Sequence, residues 1–214
     1  MARTSHAAAA RALAERDPAM ATLVELTGLP KLRERHGTHF EALVRSIVFQ
    51  QLAGAAASTI HGRFVALLDG QVDPATVLVQ SDEALRSVGL SGNKAASIRD
   101  LATKVADGSV TLDPRKLARE TDEEVITGLS TVRGIGRWTA EMFLLFQLRR
   151  LDVWPTGDLG VRRGYGLAHG IPMPAPKELE QYGDAYRPYR SVAAWYCWRA
   201  TEVYAGAKES AVTS

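Results

Sequence analysis

The segment Leu129-Ser-Thr-Val-Arg-Gly134-Ile-Gly136-Arg-Trp-Thr-Ala140 holds the residues whose types and spacing point most directly to chemistry. Two glycines one residue apart between helical stretches make a tight turn. They also leave backbone N–H groups unobstructed at the start of the following helix, which is how a chain grips a phosphate. Arg133 and Arg137 flank the turn, and residues 131–163 carry six Arg against three acidic residues. Such a corner would hold a nucleic-acid backbone, where contacts set register without reading bases. The same residues also describe an ordinary glycine-capped helical corner, because a single G-x-G is a weak motif. Further along, Val153-Trp-Pro-Thr-Gly-Asp158-Leu-Gly-Val-Arg-Arg163 is a Pro/Gly loop ending in a carboxylate before a helix. Asp158 reads as an N-cap and, compatibly, as a group placed for chemistry.

The elements that must carry these residues are helical almost throughout. Phe40, Leu43, Val44, Ile47 and Val48 recur with helical spacing behind Thr38-His39-Phe40-Glu41, which has the form of a capping box. The pattern resumes after Gly54 through Leu68, opens again at Ser81-Asp82-Glu83 as far as Val88, and runs over Ile98–Val105 to a stop at Gly108. Thr121-Asp-Glu-Glu124 is a second capping box. A helix over Arg137–Leu148 follows the glycine turn, and another begins after Asp158. Pro172, Pro174 and Pro176 precede a polar helix, and Pro188 is expected at the first position of a terminal helix ending near Val203. Residues 7–28 read as two short helices divided at Asp17-Pro18. The expectation is an all-α chain of about ten helices, two helical lobes with a cleft between them. It contains a helix–hairpin–helix over about 121–148, and the chain 1–214 forms one unit with a flexible tail over about 208–214.

Composition narrows the function classes. The 214 residues are 46% hydrophobic and 23% charged, as in an average soluble domain. The longest apolar-rich stretches, Phe40–Phe49 and Met142–Leu148, are too short for a bilayer span, and the first residues do not read as a signal peptide. No membrane partner is expected. The single Cys197 cannot form an internal disulfide, an iron–sulfur cluster or a thiolate zinc site. The net charge of +2 is small, yet the cations are skewed to twenty Arg against six Lys. Arg suits phosphate recognition, and Arg and Ala enrichment equally reflects coding bias. His36 and His39 are spaced as zinc ligands can be, but without a third ligand they read as a surface pair. Lys94 reads as a phosphate contact or a solvated lysine, and Arg187, Arg190 and Arg199 as a possible addition to a basic face or plain helix charges.

Taken together, several motifs are far more specific than any one. F-E-x-L-V-R-x-I-x-x-Q-Q-L at 40–52, G-L-S-x-x-K-A at 89–95, V-R-G-I-G-R-W-T-A at 132–140, P-x-x-D at 155–158 and R-P-Y-R-S-V-A-A-W-Y-x-W at 187–198 occur in this order. From roughly residue 20 to 203 the chain resembles the helix–hairpin–helix/Gly-Pro-Asp DNA glycosylases, in the compact 3-methyladenine glycosylase II form. The resemblance implies base flipping and excision of alkylated bases in base excision repair, with damaged double-stranded DNA as partner. It puts Asp158 in the catalytic place, and Gly134, Gly136 and Thr139 in the phosphate-binding places, beside Arg133 and Arg137. Trp138, Trp198 and Gln50 fall in the base pocket. Gln51 or Leu52 falls where the family inserts a wedge into the duplex, although Leu52 alone reads as core and Gln51 as a solvated turn residue. The backbone carbonyls of Ser130, Val132 and Ile135 fall where the family binds a monovalent cation, Na+ or K+; no other cofactor is implied. Gly157 stands where members often carry a second acidic residue.

The implied chemistry is coherent with these groups. Cleaving an N-glycosidic bond develops positive charge on the sugar, which a carboxylate at Asp158 would stabilise while orienting water. An alkylated purine is cationic, so the faces of Trp138 and Trp198 would attract it by about 0.5–2 kcal/mol each. Trp195, three residues before Trp198, reads as core. A lyase needs an amine; in this superfamily its lysine stands where this sequence has Trp138, so hydrolysis without lyase activity is implied. The lone cysteine separates the chain from relatives with a four-cysteine cluster. Two alternatives stand beside this reading: a non-catalytic helix–hairpin–helix DNA-binding module, and a glycosylase for neutral lesions such as hypoxanthine or etheno adducts. A monomer is expected, cytoplasmic and nucleoid-associated if bacterial, nuclear if eukaryotic.

Overall fold

The computed structural model describes residues 4–31 and 37–212, with 206–212 described by backbone alone. Among the described residues there are thirteen α-helices, one π turn, one 3-10 turn and no strand. The chain divides into two compact units, residues 1–33 with 148–214, and residues 34–147.

The first unit contains α1 (His6–Ala14), α2 (Pro18–Thr27), α11 (Leu159–His169), α12 (Pro176–Tyr182), a 3-10 turn (Gly183–Tyr186) and α13 (Arg190–Val212). Ala9, Leu13, Met20, Leu23, Val161, Tyr196 and Cys197 are fully buried in its core. Each large apolar side chain there stabilises the unit by about 1.5–3 kcal/mol. The N-terminal helices α1 and α2 pack on α13, so the first and last helices belong to one unit. Asp17 fastens them. Its Oδ1 caps α2 by accepting Ala19 N–H (2.8 Å), and its Oδ2 accepts Tyr186 O–H (2.6 Å) and lies 3.1 Å from His169 Nε2. Burial works against the carboxylate, yet the hydrogen bonds from Tyr186 and His169 hold its pKa below the usual value.

The second unit contains α3 (His39–Phe49), α4 (Gly54–Leu67), α5 (Pro74–Leu78), α6 (Asp82–Ser87), α7 (Gly92–Ala106), α8 (Pro114–Leu117), α9 (Asp122–Ser130), α10 (Arg137–Met142) and a π turn (Phe143–Gln147). The two expected capping boxes are formed: Thr38 with Glu41 opens α3, and Thr121 with Glu124 opens α9. The apolar stripe of α3 (Phe40, Leu43, Val44, Ile47, Val48) is buried, and α3 packs on α4 and α7.

Two added helices and three boundaries differ from the sequence expectation. α5 and α8 are additional single-turn helices, each opened by an Asp-Pro pair whose carboxylate accepts first-turn N–H groups. The helix expected to run from Arg137 to Leu148 stays α-helical only to Met142 and widens into the π turn. There buried Gln147 turns its Nε2 toward His39 Nδ1 (3.2 Å). Pro188 does not open the terminal helix. The Arg187-Pro188 peptide is cis, the chain turns with Tyr189 N–H donating to Tyr186 O (2.7 Å), and α13 starts at Arg190. α13 then continues to Val212, beyond Val203 and into the segment read as a tail, because Ala205, Ala207, Lys208 and Glu209 favour helix. Residues 213–214 lie outside the described residues.

Candidate functional site

The hairpin sits in the second unit between α9 and α10. Val132 and Ile135 are buried beneath it, and Ile135 N–H donates to Val132 O (3.0 Å). Helix α7 fixes it from below: Arg133 N–H donates to Asp100 Oδ2 (2.8 Å), and Lys104 Nζ donates both to Asp100 (2.9 Å) and to Thr131 O. The Arg133 amide and Lys104 hold the Asp100 carboxyl below its ordinary pKa against the opposing effect of burial. Gly134 has φ +76°, and a Cβ there would lie 2.6 Å from Ser97 Oγ. Both conformation and space therefore require glycine at that position. Gly136 caps α10 with no side chain, so no capping oxygen competes for the first-turn N–H groups.

The flanking arginines are more engaged than their charge suggested. Arg137 pairs with Glu123 and with Glu141 (3.2 Å), and hydrogen bonding to Glu123 leads the effects that raise its pKa. Arg133 donates to Asn93 Oδ1 (3.0 Å). Thr139 is buried, with its hydroxyl 3.4 Å from Gln50 Nε2.

The Gln50-Gln51-Leu52 turn belongs to the same unit. Gln51 has φ +56°, and Leu52 is 39% exposed, contrary to its reading as core. Both side chains of the turn's end, Gln51 and Leu52, are exposed. Gln50 Nε2 donates to Gly134 O (3.0 Å), tying the turn to the hairpin. Between them lies an open depression of about 410 Å³ lined by Ser46, Phe49, Gln50, Gln51, Gly134, Trp138 and Thr139. Trp138 is 48% exposed. Lys94 is partly buried, and its Nζ donates to Val48 O (2.8 Å) and Gln50 O (2.7 Å).

The aspartate corner belongs to the first unit. Trp154, buried, anchors the loop by donating Nε1–H to Leu179 O (2.7 Å), and Val153 N–H donates to Ser191 Oγ (2.9 Å). Asp158 N–H donates back to Pro155 O (3.0 Å), which turns the chain into α11. Asp158 Oδ1 accepts Val161 N–H (2.8 Å) and Trp198 Nε1–H (2.9 Å), and the residue is 8% exposed. It is thus the N-cap the sequence suggested and is also held by the tryptophan assigned to the base pocket. A Cβ on Gly160 would lie 2.8 Å from Trp198 Cδ1 and 3.1 Å from Asp158 Oδ1; one on Gly164 would lie 1.7 Å from Cys197 O. Both glycines let α11 approach α13. Trp195 packs partly buried against the core, as expected.

Of the other residues singled out in the sequence, Arg187 and Arg190 pair with Asp152, and Arg199 with Glu202. His39 faces Gln147 and the edge of Phe143, while His36 lies outside the described residues. No group of three or more His, Cys, Asp or Glu suited to a metal occurs among the described residues. The neutral carbonyls of Ser130, Val132 and Ile135 are the donor type hard cations take, so they fit a monovalent ion by donor chemistry. The roles of Lys94, Asp100, Gly160 and Gly164 were not read from sequence; Gly160 and Gly164, four apart on one helix, were the available signal of a close helix approach.

Comparison with known proteins agrees with this anatomy. Residues 44–188 match the model of the HhH-GPD superfamily of base excision DNA repair proteins. DNA-3-methyladenine glycosylase 1 of Schizosaccharomyces pombe is 34% identical over 167 residues, covering 77% of this chain and 73% of the relative. The solved structure of that yeast's 3-methyladenine DNA glycosylase Mag1 with abasic DNA superposes with a TM-score of 0.78 at 33% identity, over 89% of this chain and 95% of that one. A DNA-3-methyladenine glycosidase from Bacillus halodurans superposes with a TM-score of 0.83 at 37% identity, over 92% of this chain and 91% of that one. With two thirds of its length inside the family model, the glycine hairpin fixed on α7 and a buried aspartate capping the next long helix, the chain belongs to the HhH-GPD superfamily.

Proposed function

We propose that this protein is a monofunctional DNA glycosylase of base excision repair that flips alkylated purines, such as 3-methyladenine and 7-methylguanine, out of duplex DNA and hydrolyses their N-glycosidic bonds. The observation that carries the reading is the buried Asp158, held by Val161 N–H and Trp198 Nε1–H. A non-catalytic docking module needs Asp158 only as a helix cap, for which the second hydrogen bond from Trp198 is not required.

Each group then has a task. The N–H groups at Gly134, Gly136 and Thr139 take a phosphate; Arg133 and Arg137 add charge, Arg137 by exchanging Glu123 for the DNA backbone. Carbonyls of Ser130, Val132 and Ile135 would hold Na+ or K+, which supplies positive charge near that phosphate. Gln51 or Leu52 fills the gap left by the flipped base. Trp138 and Trp198 each offer an aromatic ring to a cationic base, and Gln50 a polar group. Asp158 stabilises the sugar cation as the C1′–N bond breaks, and water adds at C1′, losing a proton as the base departs. The side chain at 138 offers no amine, so the sugar is hydrolysed rather than captured as a Schiff base. No described helix is long and apolar enough to cross a membrane; the protein acts on DNA as a monomer, in the cytoplasm of a bacterium or the nucleus of a eukaryote.

The test is release of methylated bases from alkylated duplex DNA by wild type and Asp158→Asn, with folding and DNA affinity measured in parallel. The expected result is release by wild type and a drop of about 10²-fold or more in the variant with binding retained. Binding without release by either protein overturns the reading.

A further inference from the structure

We infer that Lys94 is a positioning residue that holds the Gln51-Leu52 turn at a fixed height above the hairpin, so that the turn can enter the duplex. The inference rests on the reading of that turn as the inserted element.

The geometry is a brace with two ends. At one end, Lys94, in the first turn of α7, sends its Nζ to the carbonyls of Val48 and Gln50 at 2.8 and 2.7 Å. These carbonyls belong to the last turn of α3 and the residue after it, where no following turn supplies N–H donors and a cation is favoured by the helix dipole. At the other end, the Gln50 side chain donates to Gly134 O at 3.0 Å. Main chain and side chain of one residue are therefore held by α7 and by the hairpin. The next residue, Gln51, turns into the left-handed region, and Leu52 is left exposed. Partial burial lowers the Lys94 pKa, in keeping with an ammonium turned onto these carbonyls. Because α7 also carries Asp100, Lys104 and Ser97 beneath the hairpin, one helix sets the height of the turn relative to the phosphate-gripping loop. An inserting side chain must meet a gap one base thick, so a loose turn would bind DNA without holding the base out.

The test uses duplex DNA with 2-aminopurine opposite an abasic analogue, whose fluorescence rises when neighbouring stacking is broken. Binding is followed by anisotropy and folding by thermal melting. Wild type should raise the signal; Lys94→Met should bind within about threefold of wild type yet lose most of the rise. Lys94→Arg, which can reach both carbonyls, should restore it. If Lys94→Met does not fold, Gln50→Leu breaks the other end and should give the same loss. A Lys94→Met protein with the full wild-type signal overturns the inference. So does a loss that appears only together with equal losses of affinity and melting temperature, and so does a wild-type protein that binds without disturbing the probe. The readout needs no excision, so it is separable from failure of the glycosylase reading in the base-release assay.

Discussion

The hairpin and the aspartate corner solve opposite problems. The hairpin presents backbone: Gly134 at positive φ, an uncapped helix start at Gly136 and a half-exposed Trp138, steadied from below by α7. The corner withdraws its key side chain: Asp158 is nearly buried, shares one oxygen between two donors, and lies where Gly160 and Gly164 bring α11 against α13. A surface meant to meet a phosphate chain needs exposed N–H groups held in register. On the proposed reading, Asp158 acts on a sugar, and a carboxylate that does so needs a fixed orientation and little water, which close packing provides. Conformational freedom of glycine builds the first, and absence of a side chain builds the second.

That contrast can be broken experimentally. The largest effect belongs to the corner. Gly164→Ala places a methyl group against the Cys197 carbonyl of rigid backbone, and should destabilise the protein by about 1–3 kcal/mol or more, read as a lower melting temperature. Gly160→Ala meets the Trp198 ring instead, so it should slow base release by about 10²-fold through misplacement of Asp158 while melting shifts much less. If both variants lose stability alike, the corner is only packing. In the hairpin, Gly134→Ala should cost about 1–2 kcal/mol in backbone strain and weaken DNA binding, leaving single-turnover release at saturating enzyme closer to wild type.

The smallest effect is titration of the hairpin anchor. Asp100's carboxyl is lowered on folding, chiefly by the Arg133 N–H. Its stabilising contribution is therefore complete above the unfolded carboxylate pKa and is lost as pH falls through the folded value. The Arg133 amide resonance should move, and exchange faster, in that acid window. An amide indifferent to acid would detach the hairpin from α7.

Particular residues mark how far the sequence could be read. Thr38-Glu41 and Thr121-Glu124 announced helix starts because a capping box is local chemistry within one turn. Asp17-Pro18 was legible for the same reason, and Asp73-Pro74 and Asp113-Pro114 carried the same signal before helices of a single turn. Asp158 is legible as an N-cap through the Pro/Gly loop before it. Its partnership with Trp198 is not, because an indole N–H forty residues away carries no local mark. Nothing next to Lys94 in sequence reveals that the α3 carbonyls approach it. The pairing of Arg137 with Glu123, and of Arg187 and Arg190 with Asp152, depends on packing and leaves no local mark.

The sequence by itself determined the helical class, the caps, the glycine turn, the aspartate loop and the family, all properties of residue type and order along a few turns. The tertiary structure alone decided which charges are matched, which glycines are sterically required, that Leu52 stands clear of the core, and that Lys94 braces the turn before it. Those depend on distances between segments far apart in the chain. Packing of buried apolar faces sets such distances, and no local pattern encodes them.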